Sequence, residues 1–64
     1  MKVGDLVLEN FEGLGLVTKG PYIYESSDPT GDVVPYDVVL VSFFQDGDTF
    51  EIDCDELKVI SESR

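Results

Sequence analysis

The chain has 64 residues, and its 14 Asp and Glu outnumber 4 Lys and Arg to give a net charge of −10. That length allows one domain and one core, with little room for a deep catalytic cleft. A surface of this sign repels phosphate, which argues against direct nucleic-acid binding and anionic membranes, and it attracts basic protein partners.

Residues 1–64 read as a single small domain. A domain of this size buries only about 60 % of its unfolded surface. Ordering a residue costs roughly 1–2 kcal/mol of backbone entropy, and burying a Val, Leu, Ile or Phe returns roughly 1.5–3 kcal/mol. Nearly every strongly apolar residue is therefore expected to be buried or in an interface. Cys54 is the single cysteine, so no internal disulfide forms, and one thiol fits a reducing cytoplasm. Lys2 and Val3 are followed by Gly4 and Asp5 rather than an apolar run, so no signal peptide is expected. The longest apolar run, Val38 to Val41, is far too short to span a bilayer.

In chain order, Val3 to Leu8 reads as a first strand and Leu14 to Lys19 as a second. Gly13 and Gly15 permit a bend or a close backbone approach there. Gly20 to Asp37 holds Pro21, Pro29 and Pro35 and a turn-rich middle from Ser26. It reads as a long loop, or as a splayed hairpin with its tip near Pro29 to Gly31. Long connections of this kind are commonly functional or disordered.

The sharpest element is a hairpin, with Asp46-Gly47 between Val38–Phe44 and Thr49–Cys54. Asp-Gly is a strong signal for a two-residue type I′ turn. Counting outward from that turn pairs Phe44 with Thr49, Phe43 with Phe50, Val41 with Ile52 and Val39 with Cys54. Side chains alternate between faces with period 2. One face then holds Val39, Val41, Phe43, Phe50, Ile52 and Cys54 and must be core. The other holds Leu40, Ser42, Phe44, Thr49, Glu51 and Asp53. Asp55-Glu56-Leu57 reads as one 3₁₀ turn, Lys58 to Ile60 as a short closing strand, and Ser61 to Arg64 as a frayed tail. Many short strands with regular turns in so short a chain predict an all-β fold, a five-stranded antiparallel barrel.

The order of these signals resembles a known family. Val3-Gly4-Asp5-Leu6-Val7 opens the chain, Gly13-Leu14-Gly15-Leu16-Val17 follows, and Glu56-Leu57-Lys58-Val59-Ile60 closes it after the Asp46-Gly47 turn. The pattern is similar to small Src-homology-3-like barrels of the KOW, Tudor and CarD-like type, above all the short single-barrel proteins encoded by bacteriophages. The resemblance covers both ends and the central hairpin, but not residues 20–37. It implies a Src-homology-3-like barrel with a 3₁₀ turn before the last strand, a non-catalytic adaptor role, and a host cytoplasmic location. KOW relatives that contact nucleic acid are usually basic, and this chain is the reverse.

No catalytic, metal or cofactor site is expected. The run D-G-D-T-F-E lacks calcium-loop spacing, since Gly47 comes second and Glu51 too early. There is no His, and Lys19 and Lys58 are the only interior lysines past Lys2. Cys54 falls on the inward face between Asp53 and Asp55, which suits a core residue better than a nucleophile. Tyr22, Tyr24 and Tyr36 bracket the long segment, and Leu40 and Phe44 lie opposite the core. Together they are the candidate partner-binding residues, unless the long segment folds back and covers them.

Three roles fit. The first is an acidic protein-binding adaptor with a basic partner. The second is an acidic mimic of nucleic acid that occupies a host enzyme. The third is a subunit of a virion or other oligomer, of unstated copy number, with Leu40, Phe44 or an open edge buried between copies. All three carry one expectation from charge alone. Sodium chloride shortens the Debye length from ~10 Å at 0.1 M to ~3 Å at 1 M, so added salt raises the melting temperature by screening self-repulsion. Thermal melts across that range check it, and a flat or falling series contradicts it.

Overall fold

The computed structural model describes residues 1–62. Five strands are joined in one antiparallel sheet: β1 (Leu6–Glu9), β2 (Gly13–Ser27), β3 (Val33–Phe43), β4 (Thr49–Asp53) and β5 (Lys58–Ser61). A single 3₁₀ turn, Cys54–Glu56, precedes β5, and among the described residues there is no α-helix. The turn is capped by Asp53, whose side chain accepts the Asp55 N–H at 2.9 Å. Ser61, expected in a frayed tail, ends β5 instead, and residues 63–64 of that tail lie outside the described residues.

The strand order is β4-β3-β2-β1-β5, which places β4 and β5 at opposite edges. The barrel expected from sequence is therefore not closed by hydrogen bonds, and the sheet is open. It is nevertheless curled. Val7, Val17, Val39, Val41 and Phe43 are fully buried, and Ile52 of β4 and Val59 of β5 pack against that same cluster from the two edges. Met1, Cys54 and Leu57 complete the core. Among the described residues, twelve large apolar residues are more than one-third exposed, so the expected near-complete burial does not occur within one copy of the chain.

The β3–β4 hairpin keeps its predicted faces but not its predicted register. Val41 pairs with Phe50, Val39 with Ile52 and Leu40 with Glu51. The reversal is a four-residue loop, Phe44 to Gly47, rather than the two-residue turn at Asp46-Gly47. Phe43 N–H donates to Asp48 C=O at 2.9 Å, and Gly47 N–H donates back to Phe43 C=O at 2.9 Å. Two local interactions account for the change. Phe44 N–H goes to Leu14 C=O on β2, so Phe44 follows β2 and leaves the β4 ladder. Asp46 Oδ1 accepts the Asp48 N–H, while Gly47 adopts φ 75°, where a side chain would strain. The slip is two residues, an even number, so every side chain stays on its face. Val39, Val41 and Phe43 are buried as expected. Phe50, expected in the core, is 41 % exposed, although its ring still meets Phe43 at 6.0 Å between centroids.

Residues 20–37 are paired strand for most of their length. The ladder runs from Tyr22↔Val38 through Tyr24↔Tyr36 to Ser27↔Val33, so β2 and β3 form a long arm. Asp28 ties its tip. Asp28 Oδ1 accepts the Thr30 N–H, the Thr30 hydroxyl and the Asp32 N–H, and its backbone bonds Gly31 and Asp32. These bonds, the Thr30 hydroxyl foremost, hold the Asp28 carboxyl below its ordinary pKa of 3.8. The molecule spans 38 × 25 × 16 Å.

The core rests on a close approach at Gly15. A Cβ there would lie 2.4 Å from Val41 Cγ1, 3.0 Å from Phe43 Cδ1 and 3.0 Å from the Ser42 carbonyl oxygen. Gly15→Ala is expected to destabilise the fold by about 1–3 kcal/mol through overpacking. Urea unfolding measures this, and an unchanged or raised midpoint contradicts it.

Candidate functional site

β2 does not run straight along β3. Its register shifts between Val17 and Lys19, and again between Lys19 and Tyr22. Each shift adds one residue to β2, and each reverses which face a side chain occupies. Two shifts restore the original face. The Thr18 hydroxyl supports the first by donating to Leu40 C=O at 3.3 Å. Tyr22 and Tyr24 consequently emerge on the side opposite the core, together with Tyr36, Val38 and Leu40.

This outer face reads as rows across the strands. Tyr24 stands directly opposite Tyr36, and they are 47 % and 41 % exposed. The next row is Tyr22, Val38 and Asp53, and the next is Lys19, Leu40 and Glu51. Tyr22 and Leu40 are half-buried, and Val38 is buried. The Tyr22 hydroxyl donates to Glu51 Oε2, linking β2 to β4 across β3. Lys19 Nζ lies over the Tyr22 ring, 5.6 Å from its centroid. A cation is thus already seated on an aromatic face beside a carboxylate.

Four of the five predicted partner-binding residues, Tyr22, Tyr24, Tyr36 and Leu40, share this surface. The fifth, Phe44, does not join the tyrosines. Its N–H bonds to Leu14 C=O, which sets it across from Leu14 at the other end of the face. It is 61 % exposed, so the long segment does not fold back over it. The sequence reading missed Leu6, Leu8, Leu14 and Leu16, which also lie opposite the core, and Phe11, which projects from the β1–β2 turn. A signal was there. Leu6-Val7-Leu8 and Leu14 through Val17 place apolar residues at both parities, a pattern of strands covered on both faces. The turn that presents Phe11 is built by the buried Glu9, whose carboxylate accepts the Phe11 and Glu12 N–H groups at 3.0 and 2.6 Å.

On the core side of the arm lies an open hollow of about 370 Å³, lined by Met1, Pro21, Tyr22, Ile23, Asp37 and Cys54. Burial, followed by the charges of Asp37 and Asp53, pushes the Cys54 thiol above its ordinary value, which keeps it protonated. Among the described residues, no three His, Cys, Asp or Glu side chains stand close enough to hold a metal ion, and no helix is long and apolar enough to cross a membrane. Comparison of the chain with protein-family models, with curated proteins and with solved structures finds no match.

The hydrogen bond donated to Glu51, with loss of hydration and the negative charge of Glu51, raises the Tyr22 pKa above its ordinary 10.0. The neutral phenol is the form that bonds. Its contribution to stability is therefore complete below pH 10.0 and is lost as pH rises through the folded value. Ultraviolet titration is expected to show one tyrosine ionising above 10.0, abolished by Tyr22→Phe and lowered by Glu51→Gln. A Tyr22 that titrates at or below 10.0 contradicts this bond.

Proposed function

We propose that the chain is a non-catalytic protein-binding module of Src-homology-3-like form that takes a basic segment of a partner protein on its tyrosine face. The strand order and the curl around one core are compatible with that fold. The observation that carries the reading is the Lys19 ammonium resting on Tyr22 beside Glu51. Tyr24 and Tyr36 offer a second aromatic surface one row further along, with no cation over it among the described residues. Two carboxylates of β4 share that face: Asp53 in the row of Tyr22 and Val38, and Glu51 in the row of Leu40. An aromatic centre with an acidic rim favours Arg and Lys side chains through cation–π contact and steers their approach. Tyrosine supplies this at low entropy cost, because few torsions are frozen on binding.

The test is a titration with arginine- and lysine-rich peptides, followed by backbone amide shifts. The expected response centres on Tyr22, Tyr24, Tyr36 and Leu40. Tyr24→Ala and Tyr36→Ala are each expected to weaken binding roughly tenfold, with Phe11→Ala neutral, and the association rate falls with salt. Shifts spread evenly over all carboxylates, with no loss in the tyrosine variants, would sink the reading.

A further inference from the structure

The other end of the outer face has the opposite character. Its first row is Lys58, Leu8, Leu14 and Phe44, and its second is Ser61, Leu6, Leu16, Ser42 and Thr49. In these nine positions of a chain with net charge −10 the one charged side chain is Lys58. Leu8, Leu14, Leu16 and Phe44 are 37–61 % exposed, and Leu6 is half-buried. At on the order of 200 Å² per large side chain, these residues expose about 400 Å² of apolar surface. A standard interface takes ~800 Å² from each partner, of which a little over half is apolar. The patch therefore matches the apolar part of one side of such an interface, and it is of the size that often marks a functional contact.

We propose that this face binds a second copy of the same chain, giving a two-fold symmetric sandwich of two sheets packed through Leu6, Leu8, Leu14, Leu16 and Phe44. Charge selects the occupant. A basic partner is drawn to the carboxylates around the tyrosines and finds nothing negative in these two rows. Two copies, each at −10, repel least where carboxylates are absent, and the Lys58 of each adds a positive group to the contact. Stability points the same way. Five residues form the fully buried core, and a single cysteine allows no internal disulfide. For so small a domain oligomerisation is a common source of the missing burial. Pairing through strand edges is disfavoured, because β4 and β5 are short and carry Glu51, Asp53 and Lys58. Two apolar sheet faces pack about 10 Å apart, and a self-complementary patch closes at two copies.

Sedimentation equilibrium of the whole chain from micromolar to millimolar concentration tests this. A monomer–dimer equilibrium that tightens with sodium chloride is expected, with Leu14→Glu weakening it about thirty-fold or more while circular dichroism keeps its β signature. Isotope-filtered NOE spectra of mixed labelled and unlabelled wild-type chains need no variant and are expected to join the methyl groups of the four leucines across the interface. A monomer at every concentration and salt overturns the proposal. So does a dimer whose intermolecular NOEs fall on the tyrosine arm or the strand edges. Neither result bears on peptide binding by the tyrosines, which is read separately.

Discussion

Phe43 lies fully buried against the bare backbone of Gly15, and the rest of the sheet is arranged around that contact. Because Gly15 has no side chain, Val41 Cγ1 and the Phe43 ring occupy the space that a Cβ there would take. Ile52 and Val59, on opposite edges of the curled sheet, reach the same cluster. A domain of this size has few large apolar groups to spare, and concentrating five of them in one spot gives it a core. The same economy leaves the convex side uncovered, and both candidate surfaces lie there.

Those surfaces differ by charge rather than by fold. Along one outer face the rows pass from leucines with a single lysine, through Ser42 and Thr49, to tyrosines among carboxylates. Sheet geometry makes this possible, since side chains of one parity share a face along every strand. The two bulges in β2 keep the tyrosines in line with the leucines. With one bulge instead of two, Tyr22 and Tyr24 would turn to the core side of the arm, and the Tyr22–Glu51 bond would be lost.

Much of the fold was legible because period-2 patterning is a local property. Val39, Val41 and Phe43 alternate with polar or outward residues, and their burial was readable from that alternation. The register was not readable. Turn chemistry at Asp46-Gly47 was counted as two residues, whereas the Phe44 N–H had a partner on a third strand. No two-strand argument contains Leu14. The tyrosines were identified as surface residues by their place beside a turn-rich segment, but their grouping depended on bulges that the run from Thr18 to Pro21 does not announce. Phe44 was placed on the outer side correctly and grouped with the wrong neighbours, again because its partner lies on β2.

By itself the sequence determined the all-β class, the inward set on β3, the 3₁₀ turn before the last strand and the net charge of −10. Each follows from composition or from the spacing of neighbours a few residues apart. The tertiary structure alone decided the register, the open edge between β4 and β5, the pairing of residues 20–37 into an arm, and the division of the outer face into leucine and tyrosine ends. These depend on hydrogen bonds between residues distant in the chain, where one displaced N–H or one added residue changes which side chains become neighbours.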